Sequence, residues 1–267
     1  MTTWILATGP VGLGTRDRSR LETLLGSLLG TSIEVRPYLT YTELLDAVVT
    51  RVAHLAWLGP ALLVRGRARC ELEPLVRAER ESGASYRAAL FVLPSSELRV
   101  ASDLAGARFA WVDPSSCAGY LYPRLALQRA GVDVDEALGT ERFVGSYGAV
   151  MRAVETGAVD VGAAYVETED VSDASAPILR AAWSDHGLDA RAILVTDPVP
   201  ADVVVATSAL GAVDRARVRR ELLALHETDE GAAILRSLFH ARALREVAIQ
   251  DYDAVVVALQ AAGEALD

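Results

Sequence analysis

Residues 108–130 decide the fold, and they read Arg108-Phe-Ala-Trp-Val-Asp-Pro-Ser-Ser-Cys-Ala-Gly-Tyr-Leu-Tyr-Pro-Arg-Leu-Ala-Leu-Gln-Arg-Ala130. The apolar run 108–112 predicts a β-strand, and the pattern after Ser116 predicts a helix over 117–130. Asp113-Pro-Ser-Ser116 supplies the turn between them. The segment is therefore a βα unit whose helix begins at the carboxyl end of its strand. In open α/β sheets, ligands bind at that end, where helical N–H groups lack partners within the helix.

The same arrangement recurs along the chain. A helix is predicted to open at Thr40, which has capping-box spacing to Glu43, and another to begin at Tyr147 after the strand end Phe143-Val-Gly-Ser. Other predicted strands share short apolar runs bounded by turn residues, and they lie at 4–8, 33–35, 54–58, 160–166, 178–183 and 203–206. Strands that alternate with helices indicate α/β architecture with a mostly parallel sheet.

Two further strands are predicted to cross between lobes, at 86–93 and at 192–195. We therefore expect a two-lobed α/β fold in which each mostly parallel sheet is flanked by helices and the crossing strands act as a hinge. Lobe 1 is predicted from 1–87 with 195–267, and lobe 2 from 88–194. The ligand cleft is expected between the lobes.

The net charge and the amino-acid composition exclude several classes of function. The formal charge of −10 argues against nucleic acid as a partner, since phosphate-backbone binding needs a concentrated basic surface. All 26 basic residues are arginine. The absence of lysine excludes a Schiff base, an internal aldimine with pyridoxal phosphate and the lysine of a P-loop. We expect a small-molecule ligand and no cofactor.

The four histidines do not indicate a metal site, because His54, His186, His226 and His240 lack ligand spacing. Two cysteines in 267 residues do not form a disulfide framework. The amino-terminal residues show no basic and apolar export signal, and no apolar run reaches the ~20 residues that span a bilayer. As written, the chain is expected in the cytoplasm, or in the periplasm if a signal peptide was removed.

Several stretches together resemble the phosphonate/phosphite class of solute-binding proteins of ABC transporters. They are 86–92, 103–123, 143–147, 153–163, 198–202 and 251–253. The resemblance implies a type II periplasmic-binding-protein fold with two lobes, two crossing strands and closure on a ligand by a hinge.

The resemblance also implies ligand contacts. Tyr41 and Tyr86 match family positions that touch ligand. Where the family usually has Ser-Thr-Ser-Gly, this chain has Ser116-Cys-Ala-Gly119, so two hydroxyl donors are missing. Tyr147 stands where the family often has a histidine. A sulfonate, a carboxylate or a neutral polar ligand therefore fits at least as well as a phosphonate.

The predicted ligand-binding residues are Tyr41, Tyr86, Ser115, Ser116, Cys117, Tyr147, Glu167 and Asp197. Each also has a structural interpretation. The serines can act as helix caps alone and the tyrosines can cover the core. Glu167 and Asp197, near predicted strand ends, suit a ligand ammonium or hydroxyl, but they can equally be solvated acids.

The predicted function is binding of a small anionic or zwitterionic solute, as the solute-binding protein of an ABC transporter, without catalytic residues. A cytoplasmic ligand sensor with a signalling partner is the first alternative, because it would use the same closure. An enzyme that depends on Cys117 is the second, since a thiol at a helix N-terminus can be a nucleophile. No histidine is placed beside Cys117 by the sequence, and His186 is its nearest plausible partner.

Overall fold

The computed structural model describes residues 3–10, 15–135 and 137–266, without the side chains of Thr15 and Leu238. The chain forms two compact units. The first comprises the described residues of Met1–Ala84 together with Ala201–Asp253, and the second comprises Ser85–Pro200 with Ala254–Ala265. The chain thus enters the second unit after Ala84, leaves it after Pro200 and enters it again after Asp253.

The first unit opens with strands and helices in alternation. These elements are β1 (Thr3–Thr8), α1 (Thr15–Leu29), β2 (Ser32–Pro37), α2 (Tyr41–Val49), β3 (Leu55–Leu58), α3 (Pro60–Arg69) and β4 (Leu72–Glu79). Thr40 caps α2 as predicted, because its hydroxyl accepts from the Glu43 N–H at 3.1 Å while the Glu43 carboxylate accepts from the Thr40 N–H at 3.2 Å.

The second unit contains most of the shorter elements. They are β5 (Ser85–Val92), β6 (Phe109–Trp111), α4 (Tyr122–Arg129), β7 (Glu141–Phe143), α5 (Tyr147–Glu155), β8 (Val161–Thr168), β9 (Ile178–Ala181), α6 (Ala182–Asp185), β10 (Arg191–Val195) and β11 (Val199–Pro200). A π-helical turn, Cys117–Leu121, leads directly into α4. The sequence correctly predicts the strand before this turn and the helix after it.

The remaining elements are β12 (Val203–Thr207), α7 (Ala212–Ala224), α8 (Asp229–Phe239), β13 (Ala243–Arg245) and α9 (Asp253–Ala261). All but α9 belong to the first unit. Helix α9 groups with the second, where the Gln128 side chain donates to the Ala261 carbonyl at 3.0 Å. The units therefore differ from the predicted lobes chiefly in this helix. The lobe limits remain a prediction about which residues move together.

Each unit is built on one sheet. The first has strand order β13-β4-β12-β3-β1-β2 and the second has β10-β5-β8-β6-β7, with β9 on β8 and β11 on β5. Pairing is parallel among β1, β2 and β3 and among β6, β7 and β8, and antiparallel elsewhere. Both sheets are therefore mixed, although most strands of each sheet run in one direction, as predicted. Strands β12 and β13 run against the other strands of the first sheet, and β5 and β9 run against the other strands of the second.

Each sheet has its own apolar core. In the first unit the Trp57 and Phe239 rings stack with centroids 4.1 Å apart. In the second, Phe91 and Trp111 are fully buried, and a Cβ on Gly162 would lie only 2.4 Å from the Phe91 ring. Among the described helices, none is both long and apolar enough to cross a membrane.

Candidate functional site

The turn after β6 holds the serines that the sequence singles out. The Ser116 hydroxyl caps the following helix by accepting from the Gly119 N–H at 3.0 Å. Asp113 accepts from the Ser115 N–H at 2.7 Å, which shapes the turn. Ser115, Ser116 and Cys117 are all buried. The capping interpretation of Ser116 is thus correct, and it leaves the hydroxyl hydrogen able to donate to a ligand.

A π-turn widens the start of this helix. The Leu121 N–H donates to the Ser116 carbonyl at 3.0 Å, and the Tyr122 N–H donates to the Cys117 carbonyl. Such π-turns are rare in proteins, and those that occur are often found at functional sites. The first N–H groups of a helix carry partial positive charge and favour an anion.

A second helix begins beside the first. Ser146 caps α5 by accepting from the Ala149 N–H at 3.3 Å, and Tyr147 is the first residue of that helix. The two turns share Val112, whose N–H donates to the Gly119 carbonyl at 3.1 Å and whose carbonyl accepts from the Gly145 N–H at 2.8 Å. Two helix N-termini are therefore fixed side by side at the carboxyl ends of β6 and β7.

A network of polar side chains lies next to Tyr147. Its ring packs edge-on against Tyr165, with centroids 5.1 Å apart. The Tyr165 hydroxyl donates to Asp185 at 2.6 Å, and Arg180 binds both Asp185 at 2.8 Å and Glu167 at 2.9 Å. Burial raises the pKa of Tyr165, and the hydrogen bond to Asp185 raises it further. The predicted contact between Glu167 and a ligand remains a prediction, because in the free protein Arg180 holds that carboxylate.

The other predicted acid is more open. Asp197 forms an ion pair with Arg129, and both side chains are more than half exposed. Tyr86, at the start of β5, is buried and pairs antiparallel with Val199 of β11. The passage into the second unit and the passage out of it are therefore hydrogen-bonded to each other.

In the first unit, Tyr41 is partly buried at the first position of α2. Thr8, at the carboxyl end of β1, was not among the predicted contacts. Its hydroxyl is buried and has no hydrogen-bond partner among the described residues. The Tyr122 hydroxyl is likewise buried without a hydrogen-bond partner among the described residues. No sequence pattern predicts either hydroxyl, because hydrogen-bond partners depend on the three-dimensional fold.

The described residues contain no cluster of three or more His, Cys, Asp or Glu side chains that could hold a metal ion. The His186 ring lies beside Gly148 of α5, where a Cβ would be 3.4 Å from its Cε1 atom. Cys117 is buried, which disfavours the exposed thiolate that nucleophilic catalysis uses.

The second unit thus carries two adjacent helix N-termini at the carboxyl ends of neighbouring strands, the place where ligands bind in open α/β sheets. The family described as "ABC transporter, phosphonate, periplasmic substrate-binding protein" matches residues 14–258, and the chain belongs to this family. The match confirms the predicted resemblance.

Two relatives and one structure illustrate the family. The chain is 27% identical over 146 residues to the probable ABC transporter phosphite binding protein PhnD1 of Prochlorococcus marinus, covering 52% of this chain and 49% of that protein. It is 25% identical over 153 residues to the phosphate-import protein PhnD of Mycolicibacterium smegmatis, covering 53% and 47%. The chain thus spans about half the length of these relatives.

The structure of PhnD1 from Prochlorococcus marinus in complex with methylphosphonate superposes with a TM-score of 0.81 at 18% identity, covering 98% of this chain and 99% of that chain. The likeness confirms the predicted fold class. The family supports a substrate-binding role in ABC transport and not an enzyme, and the comparisons do not favour the sensor or the Cys117-dependent enzyme. Members of such systems work with a membrane permease.

Proposed function

We propose that this chain binds a small anionic or zwitterionic solute in a cleft between its two units, closes on it and delivers it to an ABC permease. The family match over residues 14–258 carries the proposal, because it spans both units. The oxyanion is proposed to lie at the start of the helix after β6, next to Ser115, Ser116 and Cys117. Tyr41, Tyr86 and Tyr147 are proposed to enclose it.

The local chemistry supports an oxyanion. The adjacent N-termini of the π-turn and of α5 offer backbone donors and dipole charge without lysine. Relatives are named for phosphite and for phosphate, and one is solved with methylphosphonate. Residues 117 and 118 carry a thiol and a methyl group, so a sulfonate or a carboxylate is included in the proposed ligand class.

Glu167 and Asp197 are proposed to face the other end of the solute. Each carboxylate has an arginine partner in the free protein, so a ligand ammonium must compete with Arg180 or Arg129. Methylphosphonate and aminomethylphosphonate form a matched pair of probes for this contact. Tighter binding of the amino compound is the result expected if either acid turns to the solute.

Thermal denaturation against a panel of solutes tests the function. The panel contains methylphosphonate, aminomethylphosphonate, phosphite, phosphate, methanesulfonate and acetate, with acetamide as the neutral match to acetate. A solute that binds only the native state contributes about 2.7 kcal/mol at 100 times its Kd, which raises the Tm. We expect at least one anion to raise the Tm and acetamide to leave it unchanged. The oxyanion proposal fails if no anion acts differently from acetamide.

We propose that the protein acts outside the cytoplasmic membrane, and the family description of a periplasmic substrate-binding protein supports this location. Fractionation of cells that express the full-length gene separates this role from a cytoplasmic sensor. Recovery with the periplasmic or extracytoplasmic fraction supports transport.

A further inference from the structure

The Tyr122 phenol is an unexplained polar group. Its side chain is only 3% exposed, and within the described part of the chain its hydroxyl has no hydrogen-bond partner. The large majority of buried side-chain polar atoms in proteins have a hydrogen-bond partner. A buried hydroxyl without a partner destabilises the free protein, so its presence calls for a ligand or a water that binds it.

Tyr122 stands directly after the π-turn whose first residues are assigned to the solute. Tyr122 follows Cys117 by five positions in a π-turn, and its N–H donates to the Cys117 carbonyl. Burial raises the pKa of Tyr122, and the charge of the Asp197 carboxylate raises it further, against a smaller opposite effect of Arg129. The phenol is therefore neutral across the working pH range and can only donate its hydrogen or accept one.

A neutral phenol at this position favours an anionic hydrogen-bond partner. Hydrogen bonds to ionised acceptors are shorter and about twice as strong as those between neutral groups. A phenol without a competing partner gains the whole bond when an oxyanion arrives. An ammonium at the same position would find no anionic oxygen on Tyr122.

We propose that the Tyr122 hydroxyl donates a hydrogen bond to an anionic oxygen of the solute and is a specificity-determining residue for oxyanions. This inference rests on the proposed function. It adds a side-chain donor, five residues after Cys117, to the helix start that carries Ser116.

The test compares two variants that make the same chemical change. Tyr122→Phe removes the unpartnered hydroxyl. Tyr252→Phe removes a partnered one, since Tyr252 is only 2% exposed and donates to the Ala201 carbonyl at 2.9 Å in the first unit. The wild type and both variants are titrated calorimetrically with phosphite, phosphate, methylphosphonate, methanesulfonate and acetate, and their Tm values are measured without solute.

For the tightest-binding anion, we expect Tyr122→Phe to weaken affinity about 10- to 100-fold, the range for a lost bond to a charged acceptor. Its Tm without solute should equal or exceed that of the wild type. Tyr252→Phe should lower the Tm and retain wild-type affinity. This crossed pattern is not expected of a residue that serves packing alone.

Two results overturn the inference while leaving the proposed function intact. One is wild-type affinity in Tyr122→Phe for an anion that binds the wild type. The other is a Tm in Tyr122→Phe that falls as far as in Tyr252→Phe, which would show a bound partner, such as a buried water, in the free protein. If no anion binds the wild type, the proposed function fails first and the inference fails with it.

Discussion

Gly119 shows how a single residue sets the shape of the proposed oxyanion site. A Cβ at this position would lie 2.4 Å from Val112 Cγ2 and 2.7 Å from the Ser116 hydroxyl oxygen. Real Cβ atoms do not approach other atoms so closely, and both neighbours are buried, so something must move. Glycine therefore allows the helix start, its cap and the end of β6 to pack together.

Gly119→Ala is expected to lower the free energy of unfolding by about 1–3 kcal/mol, the usual effect of overpacking a tight core. Denaturation in urea measures it. Gly148→Ala in α5 is the matched control, because its Cβ would meet the exposed His186 ring at 3.4 Å and alanine favours a helix by about 0.5–1 kcal/mol. Equal stability of Gly119→Ala and the wild type would contradict the role given to Gly119.

At this scale the sequence predicts caps better than contacts. Ser116 and Thr40 are found as N-caps because the residue type and the spacing are local properties. The ion pair of Glu167 with Arg180 joins residues on adjacent strands, and nothing in the sequence marks it. The unpartnered hydroxyls of Thr8 and Tyr122 depend on three-dimensional neighbours in the same way.

Among the elements, β1 and β3 are joined by a histidine. The backbone N–H of His54 donates to the Ile5 carbonyl at 3.0 Å. The ring Nδ1 atom of His54 accepts from the backbone N–H of Ile5 at 3.2 Å. Only an imidazole whose Nδ1 is unprotonated can accept this bond. Burial lowers the pKa of His54, which favours the neutral ring in the folded protein.

The lowered pKa of His54 determines how the stability of the protein changes with pH. The unfolded chain takes up its proton near pH 6.5, and the folded chain does so only at lower pH. The contribution of His54 to stability is therefore full above about pH 6.5 and is lost as the pH falls through its folded pKa. We expect the wild-type free energy of unfolding to fall between pH 7 and pH 5 more steeply than that of His54→Asn.

The His54→Asn side chain can still accept from the Ile5 N–H but does not titrate. Denaturation in urea at several pH values measures the two slopes. His186→Asn is the control, because His186 is exposed. A wild-type slope in His54→Asn would mean that other groups cause the pH dependence.

Strand prediction succeeds for the βα strands and fails where the pattern is weaker. The run Leu72–Glu79 forms β4, yet no strand was predicted there, because Glu73, Pro74 and Arg77 interrupt the apolar residues. Antiparallel pairing of β4 with β12 and β13 supplies the missing information from distant parts of the chain. The same long-range pairing makes both sheets mixed, and a single-strand pattern does not contain it.

For the whole molecule, the two crossing strands predict two lobes, and the chain forms two compact units with one boundary near residue 200. The lobe limits themselves stay a prediction. The predicted lobe 1 includes residues 195–267 and therefore the whole of α9. Its grouping with the second unit depends on tertiary contacts such as that between Gln128 and Ala261. Sequence order alone does not reveal that a terminal helix returns to the other unit.

The paired crossings give the last prediction. Tyr86 and Ser85 pair with Val199 and Pro200, beside two of the places where the chain passes from one unit to the other. A hinge made of a few such residues can rotate units as rigid bodies when a ligand binds both. We therefore expect a saturating anion to reduce the radius of gyration in small-angle X-ray scattering. The value should move toward about 18 Å, which is typical of a compact chain of this length.

Acetamide at the same concentration is the control, since a neutral solute that does not bind should leave the scattering unchanged. An anion that binds in calorimetry yet leaves the radius of gyration unchanged would remove the hinge from the mechanism. The solute would then be bound by the second unit alone, at the paired helix N-termini that follow β6 and β7.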